Sequence, residues 1–200
     1  MSSFSVISET TIELRRQIFE AFESTADADF GLGSDISRIT LNSPGDELSD
    51  NAIASLYLYR IDIDEHLRNQ HPLPEPSAEN LFRRPPVPLQ LWYLFTPVDV
   101  HEETNHLLLG RLVQHFHDFP NFTMLSGDLI GDRHGGASPE VRVVPDMLSL
   151  EQSTQIWNAF AAPFRVSVAL RVAVVAIDSA LAPDRIPRAN SLVLATGRRE

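Results

Sequence analysis

The 200-residue sequence contains no cysteine and no lysine. Without cysteine, the chain has no disulfide, thiolate zinc site, iron–sulfur cluster or cysteine nucleophile. Without lysine, it lacks the lysine of a Walker A loop, the lysine of protein kinases and any Schiff-base lysine. All 16 basic residues are therefore arginine, a side chain that pairs with carboxylates through two parallel hydrogen bonds and suits protein interfaces.

The sequence also lacks a long apolar run and an excess of basic residues. No apolar run approaches the roughly 18 residues of a membrane-spanning helix. No basic segment precedes an apolar stretch near the N-terminus, so we expect no signal peptide. The 27 acidic residues outweigh the 16 arginines and give a formal charge of −11. We therefore expect no binding to nucleic acid or to a membrane surface, since both need a clustered basic face.

Length and apolar content indicate one domain with its own core. A chain of 200 residues buries about 70% of the surface that it exposes when unfolded, and 43% of its residues are apolar. We expect a domain over residues 5–178, a proline-rich excursion over residues 71–88, and a C-terminal tail or arm over residues 181–200.

The two outlying segments differ from the domain in composition. Six of the 18 residues from 71 to 88 are proline, which predicts neither a helix nor a central strand but an extended, polyproline-like surface excursion. Residues 181–200 hold two prolines and a single apolar patch, Leu192-Val193-Leu194. We expect both segments to be arms that neighbouring proteins order.

Hydrophobic periodicity predicts three helices. The first, over residues 5–23, has a stripe of Ile7, Thr11, Leu14, Ile18 and Phe22, with Glu13 on the outer face. The second opens at an Asp99/Glu102 capping box and reaches about residue 119, and the third opens at a Ser149/Gln152 capping box and reaches about residue 160.

Five strands are predicted over residues 36–41, 52–63, 89–96, 141–144 and 164–178. The strands over 52–63 and 89–96 are apolar on both faces, which is typical of central strands covered on both sides. The last strand changes its alternation after Val174, which indicates a bulge. Helices and strands that alternate in this way predict an α+β fold, α/β-like, with a mixed sheet flanked by helices.

Several residue pairs suggest catalysis or metal binding, but none has the required spacing. His101 and His106 are five residues apart, about 140° around a helix, whereas a zinc-protease box needs a spacing of four. Asp62 and Asp64 could hold a metal with a nucleotide sugar, but a solvated strand exit is the plainer interpretation. The glycine-rich segment over residues 131–136 has no phosphate-loop lysine. We predict no catalytic residue, no cofactor and no metal site.

An ordered series of aromatic and arginine-containing segments runs through most of the chain. The segments are Leu58-Tyr59-Arg60-Ile61, Arg68-Asn69, Pro85-Pro86-Val87-Pro88-Leu89, Leu91-Trp92-Tyr93-Leu94-Phe95-Thr96-Pro97, Leu109-Gly110-Arg111 with Gln114, Ile156-Trp157, Phe164-Arg165-Val166-Ser167 and Val174-Val175-Ala176-Ile177-Asp178. In this order and spacing, about residues 5–178 resemble the cap, or tube-terminator, proteins of contractile phage-tail-like injection systems such as the antifeeding prophage.

The resemblance implies a structural protein and not an enzyme. Such proteins form a six-fold ring at the end of the particle opposite the baseplate, where they close the inner tube and engage the last sheath ring. We therefore expect a tail-terminator-like fold with extended arms, a hexameric ring, and the inner tube and sheath proteins as partners. Assembly into a phage-tail-like particle would take place in the cytoplasm.

In a closed ring, each subunit uses two different patches, and such patches are enriched in arginine and aromatic residues. The candidates for partner contact are Arg60, Arg68, Asn69, Arg83, Arg84 and Arg111. For Arg60 and Arg111, an internal arginine–carboxylate pair is an equally good interpretation. Trp92 and Trp157 are expected in the core.

Two other functions stay open at the level of the sequence. The chain could be a head–tail joining or baseplate adaptor subunit of a true phage, in which case capsid genes would lie beside its gene. It could also be a metal-dependent hydrolase if its histidines, or Asp62 and Asp64, converged in one pocket.

Overall fold

The computed structural model describes residues 3–26, 28–65, 69–75, 78–122, 124–125, 128–129 and 141–185. Within these ranges lie three α-helices, α1 (Val6–Glu23), α2 (Glu102–Asp118) and α3 (Leu150–Ala159). The strands, in chain order, are β1 (Ile39–Thr40), β2 (Ala54–Ile63), β3 (Leu73–Glu75), β4 (Ala78–Arg83), β5 (Val87–Pro97), β6 (Asn121–Phe122), β7 (Met124–Leu125), β8 (Asp128–Leu129), β9 (Val141–Asp146), β10 (Val168–Ile177) and β11 (Asp184–Arg185).

The main sheet has six strands in the order β1-β2-β5-β10-β9-β6. β1 runs parallel to β2, whereas the other neighbouring strands are antiparallel. β5 lies between the two long strands β2 and β10, which confirms it as a central strand. The α+β fold with a mixed sheet is thus the one that the sequence predicts.

Helices α1 and α2 pack against each other and against one face of this sheet, which we call the helix-covered face. Leu14, Ile18 and Phe22 of the predicted α1 stripe are buried, and the Phe22 ring lies 6.0 Å from that of Phe95 on β5. Each such side chain contributes about 1.5–3 kcal/mol by leaving water. The expectation for Glu13 is wrong, since it is buried and binds the Arg16 guanidinium at 2.6 Å.

Helix α3 covers one end of the opposite face. Tyr57 alternates along β2 with Leu56 and Leu58 and so points away from the helix-covered face. Its ring meets that of Phe160, just after α3, at 5.6 Å in an edge-to-face contact. Trp157 of α3 is buried, as predicted. The part of this face that α3 leaves uncovered is called the open face below.

The two predicted capping boxes have different outcomes. Ser149 and Gln152 form both reciprocal hydrogen bonds of a capping box at the start of α3. The box at Asp99 and Glu102 is wrong, because α2 begins at Glu102 with His101 as its N-cap. Buried Asn105 instead holds this helix start: its amide oxygen accepts from Asp99 N at 3.0 Å and its amide nitrogen donates to Asp99 O at 3.1 Å.

The proline-rich segment over residues 71–88 is not polyproline-like throughout. Leu73–Glu75 and Ala78–Arg83 pair as the antiparallel strands β3 and β4, because residues 78–83 contain no proline and can donate to a ladder. β11 adds to the other edge of β4 and completes a separate three-stranded sheet. Residues 181–185 of the predicted tail are therefore partly paired, and residues 186–200 lie outside the described residues.

The last long strand starts later than predicted. Residues 164–167 have no regular structure, and β10 begins at Val168. The predicted bulge is confirmed by a shift in pairing with β5 between Val172 and Val175. A second shift, on β2 between Leu58 and Arg60, was not predicted. It decides which side chains of β2 reach the open face.

Candidate functional site: the open face of the sheet

The open face carries a row of three side chains on adjacent strands, Arg60 on β2, Trp92 on β5 and Arg171 on β10. The register places Trp92 opposite both arginines, and paired residues in a sheet project to the same face. The irregularity at Tyr59 makes this possible, because strict alternation from Leu58 would turn Arg60 toward the helix-covered face. We call these three residues the arginine–tryptophan row.

Both arginines lie against the indole ring. The guanidinium carbon of Arg60 is 5.5 Å from the ring centroid of Trp92, and that of Arg171 is 5.9 Å away. Both distances are within the range of cation–π attraction, worth about 0.5–1 kcal/mol at exposed sites. The side chain of Arg60 remains 60% exposed. Its guanidinium is therefore available to a partner while its position is held by the ring.

Asp62 fixes the row from one side. Its carboxylate accepts a hydrogen bond from Trp92 Nε1 at 2.8 Å and from Arg60 Nε at 3.0 Å. Just after the end of β2, the Asp64 carboxylate accepts a hydrogen bond from Gln90 Nε2 at 2.8 Å. The D-x-D pair thus positions neighbouring side chains: Asp62 holds Trp92 and Arg60, and Asp64 holds Gln90.

This face carries charges of both signs. Arg142 and Asp146 on β9 pair with residues of β10 on either side of Arg171, so they share its face. Burial raises the pKa of the Tyr59 hydroxyl, and the negative charges of Asp146 and Asp62 add to this effect. Such a surface favours a partner that presents both acidic and basic groups in a matching order.

The other predicted contact residues do not join this row. Arg111 on α2 donates from Nε to Ala21 O near the end of α1 at 3.1 Å, and from its terminal nitrogen to Gln114 Oε1 at 3.0 Å. Its role inside the chain is therefore to join two helices, through a carbonyl and not through a carboxylate. It compensates a carbonyl that lies in the last turn of a helix.

The remaining candidates lie on or beside the small sheet. Arg83 ends β4 and is partly buried, and its Nε has no hydrogen-bond partner among the described residues. Arg84 and Asn69 are exposed, and Arg68 lies outside the described residues. Hydrogen bonds and ion pairs within the described ranges connect Arg60 to none of these residues.

Sequence reasoning missed two members of the row. Trp92 was expected in the core but is only partly buried and lies on the open face. Arg171 was not a candidate, although it lies on the polar side of the last strand together with Arg165 and Ser167. The alternation of Arg171 with the apolar Val172 indicates that Arg171 points away from the core, but only the strand register shows that it faces Trp92.

The described residues give no sign of a metal centre. Within the ranges that the structure describes, no three histidine, cysteine, aspartate or glutamate side chains come together as metal ligands would. His101 and His106 are both exposed, with His101 at the cap of α2. Among the described helices, none is both long and apolar enough to cross a bilayer.

The chain matches one protein family over most of its length. The family model of the Pvc16 N-terminal domain matches residues 11–191. No curated protein sequence matches the chain significantly.

Two solved structures have a similar fold. One is the cryo-EM structure of a PVC sheath/tube terminator in the extended state, from an extracellular contractile injection system. It is 15% identical with a TM-score of 0.53, over 94% of this chain and 65% of that chain. The other is the cryo-EM structure of the anti-feeding prophage cap, a tube-terminating cap, 19% identical with a TM-score of 0.44 over 74% and 52%. The chain thus spans less than two thirds of the first structure's length.

Proposed function

The chain belongs to the Pvc16 N-terminal domain family, and we propose on this basis that it is a cap subunit that ends tube and sheath growth in a contractile injection system. The observation that carries the proposal is the family match over residues 11–191. The fold likeness to a sheath/tube terminator supports it. The proposal gives the chain a structural role without catalysis.

A terminator solves a physical problem of the tube. Stacked rings present the same unsatisfied face after each addition, because heterologous contacts that do not close continue indefinitely. A subunit that matches the tube on one side only stops this growth. We propose that copies of this chain form a hexameric ring of that kind, with the inner tube and sheath proteins as partners and assembly in the cytoplasm.

The arginine–tryptophan row supplies a suitable contact surface for such a partner. Its guanidinium groups can form charge-assisted, two-pronged hydrogen bonds with carboxylates, which fix orientation as well as affinity. The indole and the Asp62 carboxylate hold Arg60 in place before contact, so less side-chain entropy is lost on binding. We propose that this surface faces the tube or the sheath.

Deletion of the gene tests the function. We expect particles of irregular length, or tubes without ordered sheath, in electron micrographs of the deletion strain. Complementation with the natural sequence should restore uniform particles, and a chain with Arg60→Glu and Arg171→Glu should restore fewer. Arg185→Glu on β11 is the matched control for charge reversal, since Arg185 is exposed on the separate small sheet. Full-length, sheathed particles in normal number without the gene would contradict the proposal.

A further inference from the structure

Strand β2 has a long free edge. β1 pairs only with Ala54 and Ser55 at its beginning, and no described strand pairs with residues 56–63 on that side. Such an edge presents unpaired N–H and C=O groups, and natural proteins usually cover it, because it invites addition of a strand from another chain. A free edge of eight residues in the main sheet therefore calls for an occupant.

The far end of this edge is both apolar and acidic. Ile61 and Ile63 are 48% and 53% exposed, whereas Ile39 on β1 is fully buried and Ile177 on β10 is partly buried. An open groove runs beside them along residues 60–65, where three carboxylates face one arginine. The occupant should therefore bring apolar side chains for the isoleucines and positive charge for the carboxylates.

The β2 edge of a second copy does not meet these requirements. Antiparallel pairing of residues 56–63 from two copies would place the acidic end of each edge opposite residues 56–58 of the other copy, which carry no charge. The contact would also be two-fold, which closes on two subunits and cannot build a larger ring.

Residues 186–200 of the sequence do provide the apolar side chains and the positive charge that the occupant of this edge should bring. This segment has three arginines against one glutamate, whereas the whole chain carries −11. Between Pro187 and Gly197 it contains nine residues free of proline and glycine, with Leu192-Val193-Leu194 at their centre. Nine residues are enough to cover the eight residues of the free edge, and apolar β-branched and aliphatic residues suit a strand.

We propose that residues 189–196 of one copy add as a strand to the β2 edge of the adjacent copy. The inference rests on the proposed ring, because each copy then offers one edge and one arm, and the contact repeats from subunit to subunit. The segment follows β11, which is held on β4 at Leu81 and Phe82. Seven residues from Arg185 to Leu192 reach at most about 25 Å, which limits the acceptor to an immediate neighbour.

Engineered disulfides test the contact directly, since the chain has no natural cysteine. Cysteine is placed at Ile61 or Ile63 on the edge and at Leu192, Val193 or Leu194 in the arm, in pairs. Under mild oxidation of the full chain, and of particles that contain it, we expect at least one pair to give a ladder of covalent oligomers. Each single variant should give none beyond background. An internal disulfide in the monomer, or no disulfide from any pair, would overturn the proposal.

A charge exchange gives a second test that does not depend on cysteine geometry. Glu65 is exposed beside the edge, so Glu65→Arg should weaken self-association about three- to fivefold, the range expected for one exposed ion pair. If the start of the arm faces Glu65, adding Arg188→Glu should restore association. If the end of the arm faces Glu65, adding Arg198→Glu together with Arg199→Glu should restore it instead. Glu151→Arg on α3 is the control and should have no effect. Failure of both arm variants to restore association would overturn the proposal.

The tests of the arm contact can be distinguished from the test of the proposed capping function. Cross-links within particles report on the arm alone, whereas particle length in the deletion strain reports on capping. Uniform particles after complementation with a chain that gives no cross-link would remove the arm contact and leave the capping function in place.

Discussion

The two faces of the main sheet are built from the same strands and differ in what covers them. On β5, Tyr93 and Phe95 are completely buried under α1 and α2. Trp92, the residue before Tyr93, projects to the open face. The buried residues hold the sheet on the helices. The residues of the open face are polar or aromatic and bind each other. Stability depends on one side of this strand and the proposed recognition on the other, so the two can be changed separately.

The largest expected effect is on the helix-covered face. Phe95→Ala should lower the free energy of unfolding by about 3–5 kcal/mol, because a buried phenylalanine loses its transfer energy and leaves a cavity. Trp92→Ala, three positions earlier, should cost about 1–2 kcal/mol, since the indole is partly exposed and loses two cation–π contacts. Urea unfolding followed by far-UV circular dichroism measures both. Equal losses would remove the distinction between the faces.

The next effect concerns pH and the buried tyrosine of β5. The Tyr93 hydroxyl hydrogen-bonds to Thr11 Oγ1 on α1 at 2.7 Å, and burial raises its pKa to about 12, against an ordinary value of 10.0. The unfolded chain therefore loses this proton first as the pH rises. Stability contributed by the neutral hydroxyl is complete below about pH 10 and is lost between about pH 10 and 12, by roughly 2–3 kcal/mol.

Tyr93→Phe isolates this term. The variant should lose less stability than the natural chain between pH 10 and 12, because contributions common to both proteins cancel in the difference. Parallel pH curves for the two proteins would show that the tyrosine ionises equally easily in the folded and unfolded states.

Most of the fold could be predicted from the sequence, because periodicity reports which residues are buried. The α1 stripe, the central strand β5, the Ser149 capping box and the β10 bulge all follow from local pattern. The family resemblance is also confirmed, since it depends on the order of segments along the chain.

The candidate site could be predicted only in part. Arg60 was a candidate, but its contact with Trp92 and Arg171 depends on strand register and on an irregularity at Tyr59. Neither leaves a local signal in one sequence, because alternation shows the face of a residue and not the residue opposite it. The strands β3 and β4 were missed for a related reason: their pairing is decided by a few residues between prolines.

A smaller effect is expected where α3 covers the second face. A Cβ at Gly45 would lie 2.8 Å from the Cβ and the carbonyl oxygen of Phe160, closer than packed atoms allow. Gly45→Ala should therefore cost about 1–3 kcal/mol as the turn shifts away from the end of α3. Gly110→Ala on α2 is the matched control: nothing lies within 4 Å, so the better helix former should add about 0.5–1 kcal/mol. Thermal unfolding of both variants measures the contrast, and a stabilised Gly45→Ala would show that the turn does not rest on Phe160.

The smallest effect is the coupling between Arg60 and Trp92. A double-mutant cycle of Arg60→Ala and Trp92→Ala should give a coupling energy of about 0.5–1 kcal/mol, because the guanidinium is exposed and its attraction to the ring is weakened by water. The same cycle with Arg171 should give a similar value, since its distance to the ring differs by little. The cycle is repeated in an Asp62→Asn background, since the Asp62 carboxylate contacts both side chains and this background shows how much of the coupling passes through it. If the open face acts in recognition, these small stability changes should accompany a large loss of uniform particles in the complementation assay. A coupling near zero together with full complementation would mean that the arginine–tryptophan row neither organises itself nor contacts a partner.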